Sequence, residues 1–170
     1  MLNCILSYKW NPQYYYRYDN NPYPYYGIIK LIDYGARPFV VNIDQTTKQN
    51  NNYRTALWTG KYFQVTLMSI PVGDDIGLEV HPTTDQFIRI EEGQELVQMG
   101  DSKDKLDFQE MAYGDYAIII PAGKWHNVTN MGNKPLKIYV IYAPPEHPFG
   151  TVHETKAIAM SAEGHPTITK

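Results

Sequence analysis

The sequence is poor in the groups that fix a small protein covalently, since Cys4 is the only cysteine among 170 residues. One thiol forms no internal disulfide and no zinc-thiolate cluster, so any metal held by this chain takes nitrogen and oxygen donors. Long apolar runs are missing as well. Stretches such as Ala117 to Ile120 and Ile138 to Ala143 fall far short of the ~20 residues of a membrane-spanning helix. Met1 to Trp10 holds no signal-peptide apolar core, so the cytoplasm is the expected compartment and a membrane is not an expected partner. Basic runs are absent too. With a net charge of −3 and a pI near 5.9, the chain offers no positive stripe for a phosphate backbone, and nucleic acid is not expected as a partner.

What the chain has in quantity is tyrosine, 15 residues, with 12 glycines and 12 prolines. That combination favours strands and turns over helices, and the length suits one domain that buries its own core. Residues 11 to 27 form a Tyr/Asn/Pro-biased stretch without a period of 2 or 3.6, read as an arm that lies by its rings over the domain or a neighbouring subunit. A cross-linking or coat-assembly tail is the sharper reading of the same composition. From Tyr53 onward, short strand-like runs alternate with Gly, Pro, Asp and Asn, the rhythm of a β-sandwich or barrel. Phe63, Val65 and Leu67 alternate with Gln64, Thr66 and Met68. A hairpin is expected to pair Leu96 to Met99 with Leu106 to Phe108, and further strands are expected at 115–120, 126–129 and 136–142. Only Glu154 to Glu163 suits a short helix near the C-terminus.

Alternation along a strand puts Glu79 and His81 on one face and Leu78 and Val80 on the other, so that if Leu78 and Val80 meet packed core, Glu79 and His81 face the other way. Gln86 follows a four-residue turn, and a hairpin there returns its side chain toward His81. His126 ends the turn Pro121-Ala122-Gly123-Lys124-Trp125-His126 and enters a barrel from the opposite wall. Glu79, His81 and His126 make a two-histidine, one-carboxylate set, suited to Fe, Mn, Zn or Ni more than to Ca or Mg. Asp85, beside Gln86, is an alternative donor.

At these residues the sequence resembles the cupin superfamily. The first cupin motif is His-x-His, then Glu, then Gly at the end of the next strand, and here Glu79-Val80-His81, Gln86 and Gly93 occupy those places. The second, Gly then Pro-x-Gly-x-x-His-x-x-x-Asn, is matched by Gly114, Pro121, Gly123, His126 and Asn130, with Gly114 one residue further upstream than usual. Glu79 replaces the first His, Gln86 replaces the Glu, and the seven-residue step back from Gly93 favours Gln86 over Asp85.

The resemblance covers residues 60 to 143 and implies an all-β double-stranded β-helix, the cupin or jelly-roll barrel. On that reading residues 1–52 are the Tyr-rich arm and leading strands, 53–145 the barrel, and 146–170 a C-terminal tail. It further implies a homodimer and one divalent transition metal on Glu79, His81, Gln86 and His126. The ligand or substrate is then a small organic molecule, with sugar-isomerase-like or dioxygenase-like chemistry. The rival expectation is a non-catalytic ligand-binding or coat-assembly cupin that works through its arm.

The remaining chemistry-bearing residues are less committed. His147 and His153 are candidates for a second site or a lid. Arg89 falls on the face opposite Gln86, and Lys137 shares a face with Tyr139. Trp58 and Trp125 read as packing residues, with Trp125 also placed to line the barrel mouth beside His126.

Overall fold

The computed structural model of the chain describes residues 28–162, so the Tyr-rich stretch at 11–27 lies outside the described residues. In chain order the elements are α1 (Ile43–Gln49), β1 (Arg54–Thr59), β2 (Gln64–Ile70), β3 (Asp85–Glu92), β4 (Gln94–Gly100), β5 (Phe108–Tyr113), β6 (Ala117–Ile120), β7 (Trp125–Asn130), β8 (Leu136–Ala143), β9 (Val152–His153) and α2 (Lys156–Ala162). The strands form two antiparallel sheets, one ordered β6-β3-β8-β2-β1-β9 and the other β5-β4-β7. They face one another across a single core, which is the double-stranded β-helix that the sequence resemblance implies.

The alternation in β8 shows why these residues choose strands. Leu136, Ile138, Val140 and Tyr142 point inward and are fully buried, each burial favouring the fold by about 1.5–3 kcal/mol over exposure for an aliphatic chain. Opposite them, Ile88 and Ile90 of β3, Met68 and Ile70 of β2, and Val97 and Val128 of the small sheet complete one apolar cluster. At the turn from β3 to β4, Gly93 has φ of 115°, and a Cβ there would stand 3.2 Å from Leu136 Cα. The last position of the first motif is therefore glycine for steric reasons.

Three expectations are corrected. Among residues 28–52 the structure has a helix, α1, and no strand. Asn42 caps it by accepting from Gln45 N–H at 3.1 Å, with Asp44 in the first turn and Lys48 in the last, so local capping and dipole chemistry decide the element. This segment covers the outer face of the large sheet, where Leu57 and Leu67 are also buried. Second, residues 78–81 form no hairpin with β3. Both edges of β3 are taken, by β6 and β8, and Glu79 pairs instead with His126 of β7. Third, the β4–β5 hairpin forms with a longer loop, matching Met99 to Phe108 and Leu96 to Met111, so Leu106 stays in the connection.

One buried group is out of keeping with the apolar core. Glu95 of β4 has no exposed surface, and neither carboxyl oxygen has a hydrogen-bond partner among the described residues. It stands opposite Ala112 of β5 and Asn130 of β7. The Asn130 side chain is already committed, donating to the Ile70 and Lys134 carbonyls and accepting from Gly132 N–H, each at 2.9 Å. Burial pushes the Glu95 carboxyl up to about 8. An unfolded chain releases this proton near the ordinary value of 4.5, whereas the native protein keeps it until about 8. Stability therefore falls as pH rises through that window, by up to about 1.4 kcal/mol per unit. Urea unfolding across the window should show a flatter pH dependence for Glu95→Gln than for the wild type. Parallel curves would contradict a neutral, unpartnered Glu95 in the native state.

Candidate metal centre

The site is built on one rung between two segments. Glu79 N–H donates to the His126 carbonyl at 3.0 Å, and His126 N–H donates to the Glu79 carbonyl at 2.9 Å. Residues paired in this way project their side chains to the same face, and the i, i+2 spacing adds His81 to it. Glu79 Oε1 lies 3.2 Å from His126 Nε2 and 3.3 Å from His81 Nε2. The ligating atoms of the three residues all fall within 4.8 Å of one another. Alternation is as the sequence indicates, and the structure fixes its direction. The polar pair points into the barrel, while Leu78 is 41% exposed at the rim of the cavity.

The outer nitrogen of each imidazole faces an acceptor. His126 Nδ1 lies 2.9 Å from the Lys124 carbonyl, which the turn after Pro121 holds in place. Gly123, at φ of 81°, donates its N–H to the His81 carbonyl at 2.8 Å, so the same turn also anchors the second histidine. His81 Nδ1 lies 3.3 Å from Glu146 Oε1, and Glu146 Oε2 accepts from Thr84 Oγ1 at 2.9 Å. Acceptors at Nδ1 would, if an ion were bound, fix the tautomer that turns the Nε2 lone pair toward it.

Gln86 is almost fully buried on the inward face of β3, opposite Tyr142 of β8 and Ile120 of β6. The Tyr142 ring packs edge-on against His81, with centroids 5.6 Å apart, which places Gln86 in the same layer of the barrel. Its Oε1 is buried with no hydrogen-bond partner among the described residues. Asp85, the alternative donor, is exposed and accepts from Ala122 N–H at 2.8 Å. Of the two neighbours, only Gln86 faces inward.

The charges support one another. Burial alone would raise the Glu79 carboxyl, yet hydrogen bonds from His126 and His81, together with their charges, hold it well below the usual carboxylate range. Burial likewise opposes a charge on His81, but the Glu79 hydrogen bond and the charges of Glu79 and Glu146 outweigh it and raise that imidazole. The arrangement keeps an ionised carboxylate between two oriented imidazoles.

A cavity of about 300 Å³ opens over this trio, walled by Leu78, Trp125, Glu146 and His147. His147, read in the sequence as part of a second site or lid, thus joins the first. Burial, and next the charge of Arg54, lower its pKa to about 3. Gln64, fully buried in β2, clamps its backbone, donating to the His147 carbonyl at 2.9 Å and accepting from His147 N–H at 3.0 Å. Sequence reasoning missed Glu146 and Gln64. Both act across long separations, 62 residues from Glu146 to Thr84 and 83 from Gln64 to His147, and no local pattern marks such partners.

The other candidates lie elsewhere. His153 sits on β9 opposite Arg54. Arg89 pairs with Asp115 at 2.8 Å, and Lys137 donates to Asn50 and Asn51 behind the sheet. Trp58 stacks on Phe63 at 4.7 Å and donates to the Arg37 carbonyl.

Comparison with known proteins agrees with this architecture. A family model described as a cupin domain matches residues 66–142, the stretch from β2 to β8 that carries the donor set. The uncharacterized protein YrkC of Bacillus subtilis (strain 168) is 68% identical over 133 residues, covering 78% of this chain and 72% of that protein. Protein L612 of Acanthamoeba polyphaga mimivirus is 39% identical over 115 residues, 67% of this chain and 70% of its own length. Among solved structures, BH2720 from Bacillus halodurans superposes with a TM-score of 0.76 at 68% identity, covering 76% of this chain and 98% of that one.

The Gln64 clamp yields a direct expectation. Replacing Gln64 with Ala strips two partners from the buried His147 backbone, at a cost of about 1–3 kcal/mol. Amide exchange at His147 should accelerate while the β8 amides keep their protection. Unchanged exchange at His147 would show that the clamp does not hold the cavity wall.

Proposed function

The chain belongs to the cupin superfamily, and from that premise we propose that its barrel holds one divalent transition metal and acts on, or binds, a small organic molecule. Glu79, His81 and His126 are the principal donors, and Gln86 adds an amide oxygen. The observation that carries this reading is the joint state of the donors. Both Nε2 atoms converge on Glu79 Oε1 while both Nδ1 atoms face acceptors, and the buried Gln86 Oε1 is left with no hydrogen-bond partner. A buried acceptor without a partner costs about 1–3 kcal/mol, a penalty that coordination removes. Two imidazoles and one carboxylate suit Fe, Mn, Zn or Ni.

Bound there, such a metal supplies Lewis-acid polarisation of an oxygen donor on the ligand. The surrounding residues supply the rest. Glu146 and Thr84 hold the His81 ring, and Leu78 and Trp125 flank the entering molecule. His147 adds to the wall an imidazole kept neutral by burial. Sugar-isomerase-like proton transfer and dioxygenase-like oxidation both fit this set, and the fold does not select between them.

His126→Ala removes one of the two nitrogen donors, and the purified variant should lose stoichiometric metal by elemental analysis while keeping the wild-type circular dichroism. Unchanged metal content in the folded variant would refute the assignment.

A further inference from the structure

We propose that Glu146 sets the ligand preference of this site. Its carboxylate cancels the charge that a dication leaves uncompensated, so the cavity selects small neutral molecules and turns anions away. The inference rests on the metal reading above.

The composition of the walls carries the argument. Among the described residues the cavity is lined by two carboxylates, Glu79 and Glu146, and by no lysine or arginine. A dication held by Glu79 and neutral side chains keeps one net positive charge, which by itself attracts an anionic ligand. Glu146 stands at the mouth with its side chain 32% exposed and one carboxylate oxygen 3.3 Å from His81 Nδ1, close enough to remove that attraction.

Nearby cations do not restore it. Lys124, in the adjoining turn, pairs with the exposed Asp101. Arg54, whose charge acts on His147, is fully buried and outside the lining. An anion entering this cavity would lose its hydration and find the charge of the metal already balanced by Glu79 and Glu146, the kind of mismatch by which a site rejects a ligand.

The remaining features describe what is accepted. The volume of about 300 Å³ equals that of about ten water molecules at ~30 Å³ each, which limits the ligand to a small molecule. Glu146 offers acceptor oxygens for hydroxyl or amide N–H groups, and Leu78 and Trp125 give an apolar flank. The class is a small neutral hydroxyl- or amide-bearing compound with one oxygen donor for the metal.

The test uses cobalt(II)-loaded full-length protein, with stoichiometry verified by elemental analysis, titrated at constant ionic strength with thiocyanate and, where it is neutral, with imidazole. The visible spectrum of cobalt reports both. Relative to imidazole, thiocyanate should bind about tenfold more tightly to Glu146→Gln than to the wild type. Glu146→Asp, which keeps the charge but shortens the reach to His81, should retain the wild-type preference, separating charge from ring positioning. Stoichiometric cobalt with equal thiocyanate-to-imidazole ratios in the wild type and Glu146→Gln overturns this inference alone. Protein that takes up no cobalt overturns the metal reading and this inference together.

Discussion

Two backbone hydrogen bonds, exchanged between Glu79 and His126, determine where chemistry is available in this molecule. They splice a loop segment onto the open edge of β7, and in doing so bring residues 47 positions apart into one rung. Everything polar at the mouth follows from that rung. His81 follows by alternation, the Pro121–Lys124 turn docks on His81 through Gly123, and Glu146 reaches the outer nitrogen of the same ring. The apolar residues of the two sheets hold the rung at a fixed height in the barrel, with Val128 and Val97 immediately beneath it. Core packing and donor geometry are thus two consequences of the same register.

The fold was legible because its signals are local. The 2-residue alternation in β8 and the turn residues between strands declare themselves within a few positions, and so do the glycines at 93 and 123. His81 and His126 were legible for the same reason, as each sits at a fixed offset from a turn. Direction was harder to read. Glu79 and His81 point inward and Leu78 outward, a direction the sequence leaves open because alternation gives parity but not sign. The sign is set by the pairing of this segment with β7, and that pairing is a tertiary fact. The helix α1 was missed since its cap, Asn42, and its charges occupy only seven helical residues, too few for a periodic signal.

The two ends of the barrel handle carboxyl groups in opposite ways. At the mouth, Glu79 is buried but stays ionised because two imidazoles donate toward it. Toward the other end, Glu95 is buried with no such company and keeps its proton to about pH 8. The same desolvation acts on both, and the presence of donors alone decides the charge state. Glu146 adds a third arrangement, a half-exposed carboxylate that touches one imidazole and stays open to the cavity.

The strand order has a consequence for synthesis on the ribosome. β8 lies between β2 and β3, so a nascent chain that has emerged only through β7 presents two unpaired strand edges where the large sheet should be continuous. Such edges invite pairing with other chains. The wall that carries Glu146 and His147 emerges later still, and its clamp waits for it on β2, 83 residues earlier in the chain. The donor trio is complete once residue 126 has emerged, but the enclosure around it is finished only when the last barrel strand has slid home.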